Sequence, residues 1–394
     1  MVGLLDTVMP HTIEMPQRAI HHVDGSIVTQ QYGQPGQAIY SVGRSLINRA
    51  MLDELDKLST VHIYFESNIT NIDQQGNLTV KLKDGTIRTY LPRLIVGADG
   101  AYSAVRNFVL RHSRTDFHRH FIEHGYKELT IPPTITGNFA LPEPNSLHIW
   151  PRKKFMLIAL PNPDRSFTAT LFMPFTEFTG LDNDNSTVRP FFQHYFPDTV
   201  PLFPELEKQF ATNPTSSLVE IRVKPWSYNN RILLIGDAAH STVPFYGQGM
   251  NAALEDCVFF SECLDATHGD IAQAVTKYDT ERQPAGEALC DLSMGNYDEM
   301  KDKTASSWFL MRKRLEGILH NLFPNYWIPQ YSMVAFTRIP YHEVIQRATK
   351  QDHVLDIALG GILLSTLGVG MYAINRLSGN KNSLSINWNT LWKK

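Results

Sequence analysis

One junction narrows the possible folds of this 394-residue chain more than any other stretch: RILLIGDAAHSTVPFYGQGMNAALED, from Arg231 to Asp256. An apolar strand over Ile232–Ile235 ends in Gly236-Asp237, Gly247 and Gly249 follow, and a helix opens at about Gly249. In open α/β sheets ligands bind beyond the carboxyl ends of the strands, where an acid such as Asp237 accepts hydrogen bonds from the hydroxyls of a sugar or polyol. Gly247 and Gly249 let a ligand approach the backbone closely, and the free N–H groups of a helix opening at Met250-Asn251 suit a phosphate or an electron-rich oxygen. By itself GQGMNA is a weak Gly-x-Gly-x-x-Ala match, because no strand directly precedes it.

A second strand-to-helix junction lies upstream, where Leu94–Val96 runs into Gly97-Ala98-Asp99-Gly100. Before it, Arg44–Leu58 places Ile47, Met51, Leu52, Leu55 and Leu58 on one helical face, and Val61–Phe65 reads as a short strand. Ile69–Tyr90 alternates around Gly76-Asn77 and Asp84-Gly85, the pattern of a small antiparallel meander. Between the junctions, Tyr126–Ile131, Ser146–Trp150, Phe155–Leu160 and Ser166–Met173 predict a separate sheet able to roof a pocket. Helical periodicity runs from Ala252 to about Arg347.

Composition excludes several classes of function. Lys plus Arg is 36 against 39 for Asp plus Glu, a formal charge of -3, so no basic surplus invites nucleic acid. Cys257, Cys263 and Cys290 include no Cys-x-x-Cys pair, which removes a disulfide framework and a thiolate zinc site. His120-Phe-Ile-Glu-His124 fits a zinc-binding helix pattern, but Gly125 and the strand-like YKELTI after it argue for extended chain and no metal. The N-terminus has no secretory pattern. From Ile357 to Asn375 no residue is charged, and Arg376, Lys381, Lys393 and Lys394 follow, so a transmembrane anchor is expected at 356–376 with a polar tail at 377–394.

The junction Arg231–Asp256 resembles the GD motif of flavin-dependent aromatic hydroxylases of the para-hydroxybenzoate hydroxylase type, and GADGAYSAVR (97–106) resembles their DG motif. HGYKELTIPP (124–133), LHIWPRKKFMLIALPN (147–162), LFMPF (171–175), DLSMGNYDEM (291–300) and RIPYHEVIQR (338–347) are similar to the kynurenine 3-monooxygenase branch of that family. The resemblance implies an α/β (α+β) fold with a Rossmann-like FAD-binding domain over 1–125 and 220–290. It also implies a β-rich substrate domain over 126–219 and a C-terminal helical region over 291–350. FAD would be the cofactor, NADPH the co-substrate, and L-kynurenine and dioxygen the substrates. The membrane-lipid contact would lie at the mitochondrial outer membrane, with the catalytic part facing the cytosol.

On family positions, Arg18, Tyr32, Asn296 and Tyr331 would hold the amino-acid head group of the substrate, the guanidinium gripping a carboxylate as a fork. Arg44, Ile69, Asp99, Ala104, Asp237, Gly249, Met250 and Asn251 would serve the cofactor, Ile69 and Ala104 through backbone or packing only. No side chain is assigned a nucleophilic role, since the flavin carries the chemistry. The sequence departs from the family at its start: the expected strand, Gly-x-Gly-x-x-Gly turn and helix do not occur, and Met1 falls inside a later family helix resembling VGLLDTVM. The expectation is an enzyme chain lacking its first βαβ unit. Another flavin-dependent aromatic monooxygenase and an inactive anchored remnant are the alternatives.

Overall fold

The computed structural model describes residues 4–298 and 307–377. The chain separates into two compact units, Met1–His342 and Glu343–Lys394. The first unit is built on a seven-stranded sheet in the order Ser216–Lys224, Asp116–Ile131, Phe167–Pro174, Phe155–Pro161, Ser146–Arg152, Gln17–His21, Ile27–Gln31. Every pairing is antiparallel except that between Ser146–Arg152 and Gln17–His21.

Strand alternation gives this sheet two apolar faces with different partners. Phe155, Leu157 and Ala159 are buried in a core shared with Phe178, Phe192 and Phe210 from the helices Phe175–Asn183, Val188–Tyr195 and Leu206–Thr212, and with Phe196 just after the second of them. Each such phenylalanine contributes about 1.5–3 kcal/mol by leaving water. Met156 and Ile158 point the other way, into a second cluster with Phe172, Val243 and Phe245. Register fixes the face of Arg18: it pairs with Leu147, its neighbour Ile20 pairs with Ile149, and Ile149 pairs with Ile158. Arg18 therefore shares the face of Ile158, whereas Ala19 and His21 turn toward the helix-covered core.

A smaller sheet orders Ser227–Tyr228, Ile232–Leu234 and Ile95–Gly97, the last two parallel. Its core includes Val105, Phe108 and Val109 from the helix Ala104–His112, with Val275 and Tyr278 from the helix Ile271–Asp298. Gly97 is obligatory here, since a Cβ would stand 2.8 Å from Val105 Cβ and 2.9 Å from Leu234 Cδ2. The meander forms as Asn68–Ile72, Leu78–Lys81 and Ile87–Tyr90.

Three expectations change. Residues 61–65 form no strand, and Tyr64 and Phe65 are exposed. The substrate sheet is not confined to 126–219: it recruits Gln17–His21 and Ile27–Gln31, and boundaries at 125 and 219 would cut through two of its strands. As expected, His120 and His124 lie in extended chain, the strand Asp116–Ile131, where positions four apart are separated by about 13 Å, too far to share one zinc ion.

The third change concerns the membrane. Tyr341–Leu377 is a single 37-residue helix, and among the described residues no helix is long and apolar enough to cross a membrane. The uncharged run is only the later half of that helix, whose earlier turns carry Glu343, Arg347, Lys350, Asp352 and Asp356, and several side chains beyond Gly361 are not among those described. The transmembrane anchor at 356–376 is therefore withdrawn as a structural element. The polar tail falls outside the described residues from 378 onward.

Candidate functional site

Three of the four expected head-group residues come together. The Arg18 guanidinium carbon lies 5.3 Å from the ring centre of Tyr32 and 5.7 Å from that of Tyr331, and the two phenols stack at 5.5 Å with 21° between their planes. Tyr32 arrives on the chain just after the strand Ile27–Gln31, Arg18 on the neighbouring strand, and Tyr331 in the helix Gln330–Phe336. Arg18 Nε and Tyr32 Oη are buried without a hydrogen-bond partner among the described residues. Buried polar groups are nearly always paired, so two neighbouring orphans mark a place shaped for something else to bind. Burial raises the Tyr331 phenol to about 12 against the pull of Arg18, and it raises Tyr32 as well, with Tyr331 adding to the rise. Both phenols therefore stay protonated and able to donate.

Asn296 stands one step away. Its side-chain amide donates to the Phe245 carbonyl at 2.8 Å, and Tyr246, the next residue, stacks on Tyr331 at 5.7 Å and 15°. Phe245 also packs against Phe172 and Tyr297, extending the cage toward the apolar cluster of Ile122, Tyr126, Met156, Ile158, Phe172, Leu218, Val243 and Met294. That surface suits an aromatic ring and excludes water.

The expected cofactor residues divide into two groups. Asp237 follows Gly236, whose φ of +56° lies in the left-handed region that glycine tolerates. Although the tip of Asp237 is exposed, the protein crowded around it raises its carboxyl pKa, Asp256 adds to the rise, and His240 and Arg44 oppose it. Arg44, first residue of the helix Arg44–Asp56, thus lies within electrostatic reach of Asp237. The helix Gly249–Ala266 starts after Gln248 with no side chain capping it, leaving the Met250 and Asn251 end open. Gly236 packs on that helix, where a Cβ would meet Ala253 Cβ at 3.1 Å.

Asp99 is arranged differently. Its Oδ2 accepts the N–H groups of Ala104 at 2.7 Å and Val105 at 3.2 Å, its Oδ1 accepts the Ser103 hydroxyl, and Ser103 Oγ accepts Arg106 N–H at 2.8 Å. Its carboxylate is spent on the first turn of its own helix. Ala104 and Ile69 meet along a cavity of about 140 Å³ with Asn107, Phe108, Arg111 and His112.

Two buried networks that the sequence did not assign hold these loops. Arg106 donates to the carbonyls of Ala101 at 2.6 Å and Ala238 at 2.9 Å, tying the two junctions together. Asp256, with no exposed surface, accepts Gly236 N–H at 2.8 Å, His240 Nε2–H at 2.7 Å and Arg282 Nε–H at 2.8 Å. Burial alone would raise the Asp256 carboxyl, but His240 and Arg282 outweigh it and hold the group below the usual carboxylate range. Both residues sit in the quoted motifs, yet only the pairing across 132 residues for Arg106 and 26 for Asp256 discloses what they do.

An FAD group fits the Asp237 loop: an exposed acid within electrostatic reach of Arg44, a glycine-permitted bend, and a helix end with no side-chain cap, whose N–H groups suit an electron-rich partner. The fold and this site define an FAD-binding monooxygenase, and an FAD binding domain profile matches residues 1–293. Among solved structures, 2-methyl-3-hydroxypyridine-5-carboxylic acid oxygenase superposes with a TM-score of 0.63 at 21% identity, covering 77% of this chain and 79% of that one. PqsL of Pseudomonas aeruginosa, in complex with 2-aminobenzoylacetate, gives 0.62 at 21% identity, covering 77% and 82%.

Sequence relatives are more specific. Kynurenine 3-monooxygenase of Anopheles gambiae is 41% identical over 374 residues, 93% of this chain and 76% of its own length. That of Sus scrofa is 40% identical over 361 residues, 91% and 76%, and that of Flavobacterium johnsoniae 40% identical over 363 residues, 91% and 80%. The chain belongs to the kynurenine 3-monooxygenase family of FAD-dependent hydroxylases.

Proposed function

We propose that the protein hydroxylates L-kynurenine to 3-hydroxykynurenine, the reaction of tryptophan degradation that leads toward nicotinamide nucleotides. One oxygen atom of O2 enters the ring beside the amino group and the other leaves as water, and NADPH with a proton supplies the reducing equivalents. FAD would be held by Asp237, Arg44 and the open end of the helix at Gly249-Met250-Asn251, and would supply the redox and oxygen-activating chemistry when bound. The chain's own side chains position. Arg18 would take the substrate carboxylate in a two-pronged grip, Tyr32 and Tyr331 would donate from protonated phenols, and Asn296 would complete the set through the Phe245–Tyr246 segment. The apolar cluster around Phe172 and Phe245 would hold the ring flat and keep water from the reacting oxygen.

The observation that carries this reading is the pair of orphaned atoms, Arg18 Nε and Tyr32 Oη, buried in an aromatic cage on the pocket face of the sheet. Its test is Arg18→Ala. Truncating one partner of a buried, hydrogen-bonded charge pair costs about 2–5 kcal/mol, so kynurenine affinity falls steeply while bound FAD is unchanged, and Arg18→Lys restores it only in part. Flavin-fluorescence titration with kynurenine and with its decarboxylated analogue reads the effect. If Arg18→Ala distinguishes the two ligands as strongly as the parent, Arg18 does not hold the carboxylate.

For location we propose the mitochondrial outer membrane, with the catalytic part toward the cytosol, on the strength of the family likeness. Subcellular fractionation of the full chain with protease protection tests it, and recovery outside the mitochondrial fraction would remove the proposal.

A further inference from the structure

The turn Pro244–Tyr246 makes contacts that holding a flavin does not require. The Tyr246 ring is buried and near-parallel to Tyr331, which is itself near-parallel to Tyr32, so three phenols form one stack with Arg18 against two of them. One residue earlier, the Phe245 carbonyl accepts the Asn296 amide at 2.8 Å. The two head-group candidates contributed by the C-terminal part of the chain, Asn296 and Tyr331, thus rest on the same three-residue turn. Only Gly247 and Gln248 separate that turn from the helix Gly249–Ala266.

We infer that Tyr246 is a positioning residue for the kynurenine carboxylate cage, its flat ring setting the plane of Tyr331 and, through it, the direction in which the Tyr331 hydroxyl meets the substrate. The inference rests on the substrate reading above and deepens it. Aromatic stacking prefers particular geometries, which a branched aliphatic chain of similar bulk does not impose. Tyr331 is half-buried and also stacks on Tyr32, so without Tyr246 it would keep its place but lose its fixed tilt. The stack depends on the ring, so phenylalanine preserves most of it. Tyr246 touches no reacting atom in this arrangement, and its loss weakens capture of the head group more than the chemical step.

The experiment is calorimetric titration of the FAD-loaded protein with L-kynurenine and with its decarboxylated analogue, for the parent, Tyr246→Leu, Tyr246→Phe and Arg18→Ala. Tyr246→Leu is expected to bind kynurenine roughly 3- to 10-fold more weakly, the worth of one aromatic pair. Its affinity for the analogue should change little, KM should rise with kcat nearly constant, and FAD content and melting temperature should be preserved. Tyr246→Phe should recover most of the kynurenine affinity. Should Arg18→Ala lose kynurenine while Tyr246→Leu binds both ligands like the parent, the positioning role is wrong and the substrate reading stands. Should Arg18→Ala also leave kynurenine binding intact, the substrate reading fails and takes this inference with it. Equal weakening toward both ligands by Tyr246→Leu would likewise overturn it, because a general loss of packing does not single out the carboxylate. If Tyr246→Leu does not fold, Tyr246→His, a smaller flat ring, replaces it with the opposite expectation: near-parental discrimination supports the ring argument, and lost discrimination contradicts it.

Discussion

The two strand-to-helix junctions look alike in sequence and behave differently in space. Each ends a short parallel strand in glycine and aspartate and then opens a helix. At the first, Asp99 turns its carboxylate onto Ala104, Val105 and Ser103 and closes its own helix. At the second, Asp237 makes no such cap, and the helix at Gly249 begins bare after Gln248. In the second loop it is Asp256 that accepts Gly236 N–H, and Asp237 is left exposed. One junction spends its acid on stability, while the other holds its acid available at some cost in stability and is the one fitted to a ligand.

The comparison breaks most visibly at Asp256. Replacing it by alanine leaves Arg282 and His240 without their buried partner and is expected to cost about 3–5 kcal/mol of unfolding free energy in urea titration; a loss near zero would mean that the second loop needs no support. Asp99→Ala should cost about 0.5–2 kcal/mol, the worth of a helix cap, while FAD content is maintained. If Asp99→Ala instead releases flavin with no change in melting, the first junction is not the closed one.

The third effect is one of sign with pH. Asp256 has a folded value below its unfolded one, so its contribution is complete above the unfolded value and is lost as pH falls through the folded one. Asp237 is raised, so the folded state carries a penalty above its folded value that disappears as pH falls below the unfolded one. Asp237→Asn in the flavin-free protein should therefore be as stable as the parent or slightly more so at neutral pH, by less than about 1 kcal/mol given its solvent exposure. Asp256→Asn should flatten the acid limb of the stability curve. Melting curves from pH 4 to 8 separate the two.

Much of this contrast was readable in the chain, and some of it could not be. Both junctions and the meander announce themselves locally, through Gly-Asp, Asp-Gly and Gly-Asn turns after apolar runs. The extension of the substrate sheet did not, because Asp116–Phe121 is an exposed, histidine-rich run with no alternation of burial, and its pairing with Val219–Lys224 spans about a hundred residues of chain. Arg18, Tyr32 and Tyr331 were placed by resemblance alone, since nothing local distinguishes a cage arginine from a surface one. Tyr246 stood inside the most informative motif, yet its value lies in a stack whose other members are more than 80 residues away, and no local pattern carries that.

The most direct test is the FAD dissociation constant of Asp237→Asn set beside that of Asp99→Asn, measured by flavin-fluorescence titration together with the melting temperature of each flavin-free protein. The account predicts that Asp237→Asn weakens FAD by about tenfold or more, as expected for losing a charge-assisted hydrogen bond, with melting undiminished, and that Asp99→Asn lowers melting with FAD affinity near that of the parent. The reverse pattern, with flavin lost at Asp99 and stability lost at Asp237, would contradict it.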